Sequence, residues 1–183
     1  MDIEKHILEC KLCGNLPKLT KNFIQIGRTN FIIIGESPAK DGWIESGKAF
    51  YNTSGKLQAS GRIMQKLLDI VGCNIEDIYF TECCKCIIED RKILAKCCKN
   101  CLPILYDQLL NLPCKYILTM GLHTTDVLLR HKIKKFGEFV GKEFEININD
   151  KIFTLIPIYH PSPLNPKGYS GNIDIFENLK NII

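Results

Sequence analysis

Residues 31–39 read FIIIGESPA: four consecutive apolar side chains, then a glycine and a polar turn. An uncharged run of this length ending in Gly-Glu-Ser-Pro predicts a buried strand, Phe31–Gly35, stopped at its carboxyl end by the turn. The segments on either side extend the pattern. From Lys56 to Val71, apolar residues at Leu57, Ile63, Met64, Leu67, Leu68 and Val71 recur at helical spacing. Ile78–Thr81 reads as a second strand, and Leu102, Leu105, Leu109 and Leu112 mark a second helix. Lys115–Gly121 (KYILTMG) is a third strand, followed by a helix to about Arg130. Glu143–Ile148 and Ile152–Tyr159 form a strand pair joined by Asn149-Asp150, and a last helix starts near Asn172. Alternating strands and helices predict the α/β class, with three α/β/α layers around a central, mainly parallel sheet. The whole span 1–183 is expected to be one domain with a cysteine-bearing N-terminal arm. In such sheets functional groups gather at the carboxyl ends of strands. Three unusual segments fall there: GESPA after the first strand, TECCKC after the second and HPSP after the last.

Composition narrows the class. With 45% hydrophobic and 24% charged residues the chain is ordinary globular protein, not a disordered one. Its apolar runs are far too short to span a bilayer, so no membrane partner is expected. MDIEKHILEC shows no basic segment followed by an apolar one, which sets the expectation of a cytoplasmic protein whose thiols stay reduced. A net charge of +4 with scattered Lys and Arg is compatible with a polyanionic partner without requiring one.

In that setting ten cysteines point to a metal or a cluster before disulfides. Cys10 and Cys13 form a CxxC knuckle, and FTECCKCIIEDRKILAKCCKNC, residues 80–101, carries six more in 22 positions. Both zinc and iron–sulfur clusters take four thiolates, but this second half has no CxxC of its own. Cys73 and Cys114 sit alone beside apolar residues and read as small buried hydrophobes.

The order of these segments resembles the iron–sulfur, family 4-like uracil-DNA glycosylases of the uracil-DNA glycosylase superfamily. Cys10-x2-Cys13, then Lys85-Cys86, then Cys101 after fourteen intervening residues match that family's cysteines, with YFTECCKC and CLPILYDQL as the matching segments. GESPA and HPSPLNP stand at its two active-site motifs, and Gly47-Lys48-Ala49-Phe50 supplies its G-x-x-F between them. The match runs from Cys10 to about Asn165.

That resemblance implies a uracil-DNA glycosylase-like fold and a [4Fe–4S] cluster on Cys10, Cys13, Cys86 and Cys101, with Cys101 opening a helix. Zinc on the same sulfurs is the alternative cofactor. Spacing alone leaves Cys84 open in place of Cys86 and Cys98 in place of Cys101. The implied activity is base excision repair by a monofunctional DNA glycosylase, acting as a monomer on DNA containing a damaged base. No motif lysine is placed for Schiff-base chemistry, so no lyase activity is expected. His160 of the HPS motif would stabilise charge on the leaving base. Phe50 would stack on the extruded base. Gly35, Ser37 and the backbone after it would line the pocket. Ser37 stands where related enzymes have an aspartate, and a serine is no anionic base, so activation of water falls to Glu36 or to solvent. Leu164 is the candidate wedge, with Ser162, Arg62 and Lys167 on the DNA side and Lys56 as a further charge.

One position departs from the family. Where the family places an asparagine that reads uracil, this chain has Glu82. An asparagine amide donates to O4 and accepts from N3–H, whereas an ionised glutamate only accepts. A protonated Glu82 does both; alternatively it accepts from another base, or turns away to a backbone amide or a lysine. Uracil is therefore the simplest expected substrate, hypoxanthine or xanthine the alternative. A non-catalytic cluster- or zinc-bearing nucleic-acid-binding protein is the reading from another class.

Overall fold

The computed structural model describes residues 3–19 and 23–181. Five strands form one sheet in the order β2-β1-β3-β5-β4. They are β1 (Phe31–Gly35), β2 (Tyr79–Glu82), β3 (Tyr116–Met120), β4 (Phe144–Ile148) and β5 (Lys151–Ile158). All neighbours run parallel except β4, which returns antiparallel to β5 at one edge through a turn with Asn149 at φ 53°. The helices are α1 (Ile3–Glu9), α2 (Ala59–Ile70), α3 (Leu94–Leu110), α4 (Leu122–Leu129) and α5 (Ile173–Leu179).

Strand periodicity sorts the core into two layers. Phe31, Ile33, Phe80, Leu118, Ile156 and Ile158 point to one face, where Met64, Leu67 and Leu68 of α2 and Phe176 of α5 cover them. Ile32, Ile34, Tyr79, Ile117 and Leu155 point to the other, beneath Leu105 and Leu109 of α3 and Leu128 of α4. Burial on both faces is why the β1 run is continuously apolar rather than alternating. The three-layer expectation holds.

The expected element bounds move by one to three residues, with one larger change. Helix α3 starts at Leu94, eight residues before the first of its expected leucine markers, so Cys101 lies in its third turn rather than at its opening. Leu94, Cys97, Cys98 and Cys101 are all buried, and sulfur supplies the apolar stripe that the leucines supply further on. Asp90 caps the preceding 3-10 turn by accepting from the Lys92 N–H at 2.9 Å. Among the described residues no helix is long and apolar enough to cross a membrane.

Candidate active site

The same periodicity that builds the core builds a cavity at its carboxyl edge. Each inward-facing core residue on four strands has a successor two positions on: Gly35 after Ile33, Glu82 after Phe80, Met120 after Leu118, and His160 after Ile158. These successors stand on the α2 side of the sheet, where the strands end. Gly35, expected in the pocket lining, stands behind Glu82 and does not line the cavity. Glu82, Met120 and His160 meet Ser37, Ala39, Trp43, Ala49, Phe50, Gln58, Ser60 and Phe80 around a cavity of about 160 Å³. That is well below the roughly 300–1,000 Å³ of drug-sized ligand sites, and it suits a single heterocycle.

Gly35 and Glu82 are partners across the β1–β2 ladder. A Cβ on Gly35 would lie 2.2 Å from Glu82 Oε2, so the missing side chain is what makes room for the carboxyl. Glu82 is buried, and its Oε2 is the one buried side-chain nitrogen or oxygen among the described residues without a hydrogen bond. Burial pushes its pKa up to about 8; the Lys85 ammonium opposes this, while the negative charges of Glu36 and Cys98 add to it. Lys85 is itself buried, and its ammonium donates to Thr81 Oγ1 at 2.7 Å and to the Glu82 carbonyl rather than to the Glu82 carboxyl.

Phe50 has φ 66°, a conformation bulky side chains rarely adopt. The loop after it is closed by a Tyr51–Leu57 bridge and by Gln58 N–H donating to the Phe50 carbonyl at 2.8 Å. Gly61 in α2 lets this loop approach, since a Cβ there would lie 2.9 Å from Phe50. The Phe50 ring rests on Phe80 with centroids 4.6 Å apart, and Phe80 on Trp43 at 5.3 Å, giving the cavity an aromatic wall.

His160 stands at the rim. Desolvation of the imidazole lowers its pKa below the ordinary value; the Glu36 carboxylate opposes that shift and the Arg91 guanidinium adds to it. Glu36 does not line the cavity. Its carboxylate takes Arg91 in an ion pair of 2.6 Å and accepts weakly from the His123 N–H at 3.4 Å, at the start of α4. Arg91 comes from the cysteine-rich segment, and no sequence motif marked it.

The loop after His160 is held by its own polar groups. Ser162 N–H donates to the His160 carbonyl at 2.8 Å, and Asn165 Nδ2 to the same oxygen at 3.1 Å. Asn172 is fully buried; it accepts from Tyr159 N–H and donates to the Tyr159 and Gly168 carbonyls, each at 2.9 Å. This framework leaves Leu164 93% exposed, the most exposed large apolar side chain among the described residues. Lys167 lies over the Tyr159 ring at 5.5 Å from its centroid. Arg62 donates to the Leu57 carbonyl at 2.8 Å, so its guanidinium also braces the Phe50 loop.

The thiols fall into two neighbourhoods. In the first, Lys18 pairs with Cys86 across an antiparallel bridge, and Ile87 N–H donates to the Pro17 carbonyl at 2.7 Å. This lays the N-terminal arm beside Cys86. Burial is the largest influence pushing the Cys86 thiol up to about 11; the charges of Cys101, Cys13 and Cys10 add to it and the Lys18 ammonium opposes it. Asn100 of α3 donates toward Cys13 Sγ at 3.4 Å. The Cys97 thiol is likewise pushed up, first by burial and then by Cys13. In the second neighbourhood Cys83, Cys84 and Cys98 are fully buried, with Cys84 Sγ and Cys98 Sγ 3.4 Å apart. All ten cysteines are free. Among the described residues no three His, Cys, Asp or Glu side chains converge where one metal ion would sit. A [4Fe–4S] cluster and a zinc ion both take four thiolates, so the donor chemistry of these cysteines is compatible with either. Cys114 is buried in the α3-side core as its surroundings in the sequence predicted, whereas Cys73 is only partly buried and packs against the edge of the other core.

Comparison with known proteins agrees with this architecture. The family described as the uracil DNA glycosylase superfamily matches residues 22–179. A type-4 uracil-DNA glycosylase of Saccharolobus solfataricus is 29% identical over 172 residues, covering 87% of this chain and 74% of the relative. One of Archaeoglobus fulgidus is 26% identical over 168 residues, covering 88% and 80%.

Proposed function

The chain belongs to the uracil-DNA glycosylase superfamily, and from that premise we propose that it is a monofunctional DNA glycosylase that removes uracil in base excision repair. One observation carries the reading: Phe50, Glu82 and His160 border the same base-sized cavity at the carboxyl edge of the sheet. A base inside a duplex cannot reach such a cavity, so the nucleotide must be extruded from the stack. Phe50 gives the extruded ring an aromatic face. Leu164, held out by the Asn165 and Asn172 framework, fills the vacated place, and Ser162, Lys167 and Arg62 lie on the strand side.

In the reaction the C1′–N1 bond breaks and the base leaves with the bonding electrons. Water adds its oxygen to C1′ and its proton ends on the base, leaving an abasic site. His160 donates an N–H to the base oxygen where negative charge grows. Ser37 and backbone amides after it meet the other side of the ring. Glu36 is ion-paired to Arg91 outside the cavity lining. Its distance from the cavity leaves the attacking water to solvent.

The same proposal includes a [4Fe–4S] cluster on Cys10, Cys13, Cys86 and Cys101, with zinc as its alternative. When bound, the cluster supplies a structural tie between the N-terminal arm, the segment after β2 and helix α3. The enzyme would act as a cytoplasmic monomer on damaged DNA.

The test is strand scission at abasic sites in labelled oligonucleotides carrying uracil, hypoxanthine, xanthine or an undamaged base, single-stranded and paired. Uracil release that falls about 10²–10³-fold in His160→Ala is the expected result. Release of hypoxanthine or xanthine but not uracil would transfer the proposal to those lesions. No release from any substrate would leave a binding protein.

A further inference from the structure

The orphaned Glu82 oxygen is the least expected feature of the site. A buried carboxyl oxygen without a partner is costly, and in this fold Glu82 Oε2 stands so at a position where Gly35 leaves room for it. Such a group is explained when a ligand completes it. We propose that Glu82 is the residue that reads the base, and that it does so as the neutral acid, donating its O–H to a ring carbonyl and accepting from the adjacent ring N–H.

The proposal rests on the glycosylase reading for its setting and deepens it by naming a substrate class. A neutral carboxyl presents one donor beside one acceptor. Its complement is a lactam edge, C=O next to N–H, which uracil and hypoxanthine both carry. Cytosine and adenine present an amino group next to a bare ring nitrogen at the equivalent edge, so each donor–acceptor pairing would have to be remade. The cavity volume of about 160 Å³ and the Phe50–Phe80 wall favour the smaller ring, uracil. Recognition thus discriminates deaminated bases from their parents by one proton on one side chain.

The surroundings of Glu82 support the neutral form. Glu36 approaches from the turn after β1, Cys98 from α3 and His160 from the loop after β5, and Lys85 from the segment after β2. Lys85 is the single cation of the set at neutral pH, and it spends its donors on Thr81 Oγ1 and the Glu82 carbonyl. Desolvation is the largest influence, and it holds the acid protonated to about pH 8. Above that the carboxylate faces a base carbonyl across the cavity and repels it.

The experiment uses the full chain and two readouts. Trp43, the chain's single tryptophan, lines the cavity, so free uracil binding is followed by its fluorescence without any turnover. Uracil is expected to bind at least tenfold more tightly than 3-methyluracil or cytosine, and binding to wild type should fall as pH rises through about 8. Glu82→Leu should weaken uracil binding at least tenfold. Glu82→Gln, which keeps a donor and an acceptor, should recover most of that loss and carry binding beyond the wild-type alkaline limit. Its residual decline at high pH measures uracil's own N–H. The infrared spectrum of wild type at pH 7 should contain a protonated-carboxyl stretch that Glu82→Gln lacks. Excision of uracil is then run on the same proteins. Uracil binding indifferent to Glu82, equal binding of cytosine, or no protonated carboxyl would overturn the inference even if excision by wild type is robust. The expected binding pattern without excision would uphold Glu82 as base reader and instead sink the glycosylase reading.

Discussion

At Gly35 the ladder partner decides the residue. Any side chain there lands on the Glu82 carboxyl, within 2.2 Å of Oε2, so Gly35→Ala is expected to destabilise the fold by about 1–3 kcal/mol through overpacking. It should also weaken uracil binding, and thermal melting beside Trp43 titration checks both. Phe50 is the opposite case, a large residue kept at φ 66° where a glycine would sit without strain. Phe50→Ala keeps the fold but removes the stacking face, worth about 1–3 kcal/mol per base, so kcat/KM on uracil-containing DNA should drop roughly 10–100-fold. The family resemblance implied one base pocket for Phe50, Glu82 and His160, but the strand parity that builds the cavity is visible only in the fold. Arg91, Trp43 and Asn172 escaped notice because a lone arginine, tryptophan or asparagine carries no spacing signal until the fold supplies its partner.

At the scale of elements, the loop after β5 and helix α3 carry separate expectations. Leu164 is 93% exposed and contributes nothing to the core, so Leu164→Ala should leave melting unchanged within about 0.5 kcal/mol. Excision from paired DNA should nevertheless fall about tenfold, because filling the vacated step is worth part of the few kcal/mol of unstacking. Single-stranded substrate should be far less affected, and comparing the two rates separates a wedge from a general defect. In α3 the cysteines divide by face. Cys101→Ser is expected to abolish the visible absorbance and the bound iron of anaerobically purified protein, while Cys98→Ser, from the second thiol neighbourhood, keeps them. Iron and sulfide analysis checks this, and zinc in place of iron would give the alternative cofactor. Helix α3 itself was only half legible: its leucines stand at helical spacing, but its first two turns are built on sulfur, which hydrophobic patterning undercounts.

For the whole molecule, the buried acid should be visible in stability against pH. The folded-state pKa of Glu82 is raised from 4.5 to about 8, so between these values the folded protein holds a proton that the unfolded chain has released. Its stabilising contribution is complete below about pH 4.5 and is lost as pH rises to about 8. Melting temperature in wild type should decline across that window relative to Glu82→Gln, which has no proton to lose there. Equal slopes would mean that Glu82 titrates normally. The sequence by itself determined the α/β class, the strand order of the motifs and the family, because these follow from periodicity and from short segments read along the chain. It also determined that Glu82 stands at an unusual place. Only the tertiary structure decided what that glutamate faces. Its partners come from β1, β3, the Phe50 loop and the segment after β5, which lie far apart in sequence and meet only when parallel pairing brings four strand ends to one edge. Burial and an unfilled hydrogen bond are properties of that meeting, and no single segment contains them.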